Sequence, residues 1–267
     1  MNAYFSVLRL KLQTGMQYRT AAFAGVATQF FWGFMYIMIF EAFYEHANQS
    51  PPMSLKELIT YIWLQQSFFS LVMLWFRDNE LFELITTGNI AYELCRPCDI
   101  YSFWYAKLLA QRLSNAALRS FPILVVAFLL PQPYKMTLPV DWTSLLLFLL
   151  SLCLALFLII TISMLIYISV FITMSPTGSL LMFGIIGDFF AGLTIPIPFM
   201  PEWLQTIAYI LPFRLTADFP FRVYSGHIPQ GEAIEGICIQ LIWLAVLFFV
   251  GKFLMKKALK RVVVQGG

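Results

Sequence analysis

From Trp142 to Gly187 the chain runs for 46 residues without a charged side chain. As a single helix rising about 1.5 Å per residue it would measure roughly 69 Å, more than twice a hydrocarbon core of about 30 Å. The pattern therefore predicts two crossings with a break at Ser175-Pro176-Thr177-Gly178. One runs from about Trp142 to Thr173, the next from Ser179 to about Ile197. Shorter uncharged runs lie on either side: 21 residues between Arg19 and Glu41, and 19 between Glu57 and Arg77. Each has the length of one spanning helix. A further span is expected from about Ser114 to Leu130, ended by Pro131-Gln132-Pro133. The last is expected from about Ala233 to Met255, where Lys252 and Lys256 can snorkel to the interface. The fold class is all-α: a polytopic membrane protein with six transmembrane helices.

Composition supports this reading and removes other classes. Hydrophobic residues make up 60% and charged residues 12% of the 267, and mean hydropathy is +0.77, outside the ordinary soluble mix. No long polar segment and no internal repeat divides the chain, so residues 1–267 form one transmembrane domain. An even span number puts both termini on one side. Thirteen Lys and Arg residues fall on that side, among them Arg9, Lys11, Arg77, Lys107, Arg112, Arg119 and Arg261, against four opposite (Lys56, Lys135, Arg214, Arg222). The positive-inside rule then places the termini in the cytoplasm of a cell membrane. The net charge of +3 reflects this asymmetry and implies no nucleic-acid partner. The first apolar run is too long for a cleaved signal peptide.

Three non-spanning segments are patterned. Residues 1–18 place Phe5, Leu8 and Leu12 on one helical line away from Arg9 and Lys11, as in a helix lying flat at the cytoplasmic interface. Residues 77–100 place Leu81, Leu84 and Ile85 on one face and Glu80, Glu83 and Thr87 on another, with Gly88-Asn89 and Arg96-Pro97 as stops. Two short helices are expected there. Between the fifth and sixth spans, six prolines from Pro196 to Pro229 interleave with apolar and aromatic residues. Pro201 begins a short helix that ends at Leu211-Pro212, and a second runs from about Leu215 to Val223. Residues 198–229 thus read as an extracytoplasmic helical hairpin, re-entrant or interfacial, tolerated at membrane depth only if buried in protein.

This order of segments resembles the type-2 ABC exporter permeases. Its local carriers are Gly88-Asn89-Ile90-Ala91-Tyr92-Glu93-Leu94 with Arg96-Pro97, Gly192 with Ile195-Pro196, Pro201-Glu202-Trp203-Leu204, Leu211-Pro212-Phe213 and Tyr224-Ser225-Gly226. Within that family the chain is similar to a bacterial subgroup whose members often occur as two different permeases with one ATPase. The resemblance implies that the helix Asn79 to Thr87 is a coupling helix docking into an ATP-binding subunit, with Glu80, Leu81, Glu83, Leu84 and Ile85 as its contact residues. It implies that spans two and five line the substrate path, that spans one and five meet a second permease, identical or homologous, and that Pro201, Trp203, Pro212 and Phe213 belong to a hairpin closing the exit. Two cytosolic ATPase subunits, the lipid bilayer and a hydrophobic or amphipathic substrate complete the implied assembly.

The chain's own chemistry is sparse. Gly251-Lys252 is its one Gly-Lys pair and lacks the preceding glycine of a Walker A loop, so no cofactor is expected in this chain, and ATP with magnesium belongs on the partner ATPase. Cys95-Arg96-Pro97-Cys98 has no further Cys or His to complete a zinc site, and no metal is expected. Ser163 and Ser169 have no His partner at their depth, which argues against a membrane-embedded enzyme; a secondary transporter would want inverted repeats and several intramembrane acids. Asn48-Gln49-Ser50 matches a glycosylation acceptor, but Pro51 follows it. Asp188 stands out, nine positions into the fifth span and about 13 Å from the boundary. Arg119 lies at comparable depth, roughly 17 Å below the outer boundary. Two readings are open: an ion pair between Arg119 and Asp188, within the chain or across a permease dimer, or a protonated Asp188 hydrogen-bonded in a helix contact. Gln29, Gln65 and Gln66 mark a lined surface, since amides in spans seek partners or water. Gln65, Gln66 and Asp188 are the expected substrate-path residues.

Overall fold

The computed structural model describes residues 2–17, 19–46 and 50–260; Asn48, Gln49 and Arg261 lie outside them. Among the described residues every regular element is helical: α1 (Asn2–Gly15), α2 (Arg19–Glu45), α3 (Leu55–Val72), α4 (Asn79–Thr86), α5 (Ile90–Leu94), α6 (Ile100–Leu129), α7 (Trp142–Thr173), α8 (Pro176–Phe190), α9 (Glu202–Ile210), α10 (Asp218–Ser225) and α11 (Gln230–Leu259). Short 3-10 turns at Ile197–Phe199 and Phe213–Thr216 flank α9. Four helices are long and apolar enough to cross a membrane: α2 from Ala22, α6, α7 and α11. The α3 helix has 18 residues with a polar centre, and α8 has 15.

Local chemistry sets most helix ends. Ser54 and Glu57 form a reciprocal capping box at the start of α3, with Glu57 Oε2 accepting the Ser54 N–H at 2.7 Å. Asp141 Oδ1 accepts the Ser144 N–H at 2.6 Å to open α7. The break after α7 falls at Met174, which turns left-handed at φ 50°, and Ser175 then caps α8 with Pro176 in its first turn.

Two boundaries differ most from the sequence expectation. The third span was expected from Ser114, but α6 starts at Ile100, because Asp99 Oδ2 accepts the Ser102 N–H at 3.1 Å and no breaker follows before Pro122. The fifth was expected to reach Ile197, but α8 stops at Phe190. Gly192 takes φ +79° there, and the Leu193 N–H bonds the Asp188 carbonyl at 3.1 Å while the Gly192 N–H bonds that of Phe189 at 3.1 Å. That is a complete Schellman closure.

The centre of the bundle is built from α3 and α7. The α6, α2, α10 and α7 helices pack on α3, and α11, α10, α6, α8 and α4 pack on α7. Thirteen of the 18 residues of α3 are buried, including Thr60, Gln65, Gln66, Ser67 and Ser70. Such polar residues suit contact with protein better than contact with lipid. Gln240 fastens α11 to the centre: its side-chain N–H groups donate to the carbonyls of Ser151 and Leu215, both at 2.9 Å, and its carbonyl accepts from the Ser151 hydroxyl at 3.1 Å. The α10 helix is buried along all eight residues.

Candidate functional site

A cleft of about 330 Å³ opens between α2, α3 and the end of α8. Trp32, Tyr36 and Phe69 form its apolar walls, and Gln29, Gln65, Gln66 and Asp188 line it together. The three amides and the carboxylate, scattered over 160 residues of sequence, thus converge on one surface. The Gln65 side-chain N–H donates to the Leu193 carbonyl at 2.5 Å, which holds the post-α8 turn against α3. The side-chain oxygens of Gln29 and Gln66 are buried without a hydrogen-bond partner.

Asp188 and Arg119 do not pair within the chain. Asp188 Oδ1 accepts the backbone N–H of Leu74 at 3.0 Å. The Arg119 guanidinium lies over the Phe76 ring at 5.8 Å and against Gly25, one turn before Gln29 on α2. The guanidinium tied to the site's framework is instead that of Arg112, which is 2% exposed. Its guanidinium donates to the carbonyls of Leu71 at 2.8 Å, Met73 at 2.9 Å and Phe76 at 3.4 Å, and to the Ser163 hydroxyl at 3.1 Å. The carbonyls of Leu71 and Met73 are among those that the end of α3 leaves without partners, and a cation there also meets the negative end of the helix dipole. In addition, Gln111 donates to the Arg77 carbonyl at 3.2 Å and the Asp78 N–H donates to the Tyr167 hydroxyl at 2.6 Å. The connector between α3 and α4, residues 73–78, is therefore held at its backbone by side chains from α6, α7 and α8.

That connector leads into α4. Asp78 caps it by accepting the Glu80 N–H at 3.0 Å. Glu80 Oε2 sits between the ammonium groups of Lys11 and Lys107, each at 3.0 Å, and so joins α4 to α1 and α6. Burial pushes the Glu80 carboxyl up, but hydrogen bonds and charge from the two lysines outweigh it and leave the group below its ordinary value of 4.5. The apolar face of α4, expected to dock into a partner, is turned inward in this chain. Leu81 is 0% and Ile85 5% exposed, packed into the bundle, and the Phe82 ring lies 4.5 Å from that of Tyr167. The surface left open to another molecule comprises Glu80, Glu83, Thr87, Asn89 and Tyr92, with Leu84 half-buried.

The hairpin of residues 198–229 has an unlike pair of helices. In α9, Trp203 and Ile210 are exposed and only Ala208 is buried. Pro201 stands exposed before α9, whereas Pro212 is buried and Phe213 half-buried after it, against α8 at Gly187. Asp218 in α10 pairs with Arg222 at 3.1 Å, and its other oxygen accepts from the Tyr61 hydroxyl and the Ile197 N–H, both at 3.3 Å. Arg222 also donates to Tyr209 at 3.3 Å and to His227 Nδ1 at 3.2 Å, while His227 Nε2 donates to the Pro52 carbonyl at 3.1 Å. Sequence reasoning overlooked this network; the i, i+4 spacing of Asp218 and Arg222 was the available signal.

Taken together, the chain offers a cleft between α2, α3 and α8, a pinned connector and a charged α4 surface; Ser163 is occupied by Arg112 and the Ile159 carbonyl. Comparison with curated proteins and with solved structures finds no match. A family model described as ABC-2 family transporter protein matches residues 30–266. That match covers the connector, the hairpin and the cleft apart from Thr28 and Gln29, and the chain belongs to the ABC-2 transporter family of membrane permeases.

Proposed function

We propose that this chain is the permease subunit of an ATP-driven exporter, with ATP and magnesium held by two copies of a separate cytosolic ATPase. In this reading the chain crosses the bilayer six times. The α3 helix, at roughly 27 Å, serves as the second crossing and α8 with its following turn as the fifth. Both termini lie in the cytoplasm, where α1 rests on the interface. The exposed apolar residues of α2 and α8, such as Phe31, Met38, Met182 and Ile185, meet a second permease, identical or homologous. A hydrophobic or amphipathic substrate uses the Gln65, Gln66 and Asp188 cleft, and the α9 side of the hairpin, with Trp203, covers the exit.

The observation that carries this reading is the connector. Asp188 in the cleft and the α4 surface are joined through residues 73–78 by bonds at Leu71, Met73, Leu74 and Phe76. A pull on α4 by an ATPase would thus reach the cleft through a stiff path, and cleft closure would be felt at α4. The test is co-purification and nucleotide turnover with the ATPase from the same cell. Glu83→Arg with Tyr92→Ala changes exposed residues only and is expected to abolish ATPase association while the melting temperature holds. Full association and full turnover in that variant would refute the assigned docking surface.

A further inference from the structure

The cleft discriminates by charge as well as by shape. Its apolar part combines the rings of Trp32, Tyr36 and Phe69 with Met73 and Leu193, and its lining includes a single charged side chain, Asp188. One Asp188 oxygen takes the Leu74 N–H, and among the described residues the carboxylate has no ion-pair partner within 4.0 Å. The nearby guanidinium groups are committed elsewhere: Arg112 to the carbonyls ending α3, Arg119 to the face of Phe76. A carboxylate at membrane depth is costly when left without a cation or water. A plain hydrocarbon chain in the cleft would strip its water and offer nothing in return. An anion would meet like charge in a medium of low dielectric. A cation carried on an aromatic or aliphatic body would meet the carboxylate with its charge and the three rings with its body, and ring faces attract cations.

We propose that the α2–α3–α8 cleft is a recognition site for amphipathic organic cations, with Asp188 holding the charged head and Trp32, Tyr36 and Phe69 the apolar body. This rests on the cleft lying on the transport path, yet binding can be measured without transport. The probe is tetraphenylphosphonium, set against its anionic isostere tetraphenylborate, on the full chain in nanodiscs of zwitterionic lipid after subtraction of protein-free discs. Saturable binding of the phosphonium, and none of the borate when each ion is titrated separately, is expected. Asp188→Asn retains an oxygen for the Leu74 N–H but not the charge, and should weaken phosphonium binding about tenfold or more. Trp32→Ala, at a side chain 43% exposed, should weaken it by several-fold and leave folding intact, which keeps the idea testable if the Asn variant is unstable. Equal affinity for the two isosteres, or phosphonium binding unchanged in both variants, would overturn the proposal. Binding that is intact while ATP turnover never responds to the phosphonium would count against the transport reading and leave the cation site standing.

Discussion

Replacing Arg112 by methionine removes the guanidinium at the end of α3 but keeps an apolar stem of similar length. Four acceptors lose a donor, and they are unequal. The bond to Phe76 is long at 3.4 Å, and the Ser163 hydroxyl retains its bond to Ile159. The short bonds to Leu71 at 2.8 Å and Met73 at 2.9 Å carry most of the effect. Interhelical polar contacts in membranes are worth about 1–2 kcal/mol at their upper range, so the pair is worth about 2–4 kcal/mol. For a chain of this size each kcal/mol lowers the melting midpoint by about 2–4 °C, which gives a drop of about 4–16 °C. Lysine keeps the charge but not the planar fork, so Arg112→Lys should recover less than half of the loss. The assay is a thermal ramp on detergent-purified protein read by fluorescence size exclusion. A methionine variant within about 2 °C of the parent would mean that water already serves those carbonyls. The connector would then not be pinned as described.

Three other outcomes follow from the packing and charges. Glu80→Gln should destabilise at pH 7 by under about 1 kcal/mol, because the Glu80 side chain is 57% exposed. Its folded pKa is depressed below 4.5, so the contribution is present above that value and fades as pH falls through the folded pKa; melting curves of parent and variant should converge in acid. Asp218→Ala strands Arg222 in the interior with Tyr61 and the Ile197 N–H, and should cost about 3–5 kcal/mol in the same ramp, with partial recovery on adding Arg222→Leu. Gly236→Val drives a side chain into Phe219 of α10 and should cost about 1–3 kcal/mol. Gly231→Ala, where nothing lies within 4 Å, serves as its neutral control.

What could be read from the chain, and what could not, divides along a physical line. Where lipid or local backbone chemistry sets an element, the letters suffice: α7 begins with the uncharged run, and Ser175-Pro176 inside that run separates it from α8. Where a distant side chain sets it, they do not. No glycine or proline stops α3 at Val72; Arg112 and Asp188, 40 and 116 positions further on, take the backbone groups that would have continued it. The α4 stripe shows the same limit in another form. Its period was visible, but an apolar face reads alike whether it will be buried against the same chain or a different one, and Phe82 on Tyr167 decides for the former. Asp188 was conspicuous because a lone acid at depth demands a partner. That the partner is a backbone N–H could not be inferred, since every residue but proline has one.

The sealed α10 has a consequence for anyone mapping topology by chemical labelling. With single cysteines introduced along the hairpin, an impermeant maleimide applied from outside should modify position 203 and spare position 223. Under the proposed six-crossing arrangement, the usual accessible-or-inserted logic would turn that silence into an added crossing before α11 and put the C-terminus on the opposite side. Protection here comes from neighbouring helices, not from acyl chains, and only a denaturing control tells the two apart.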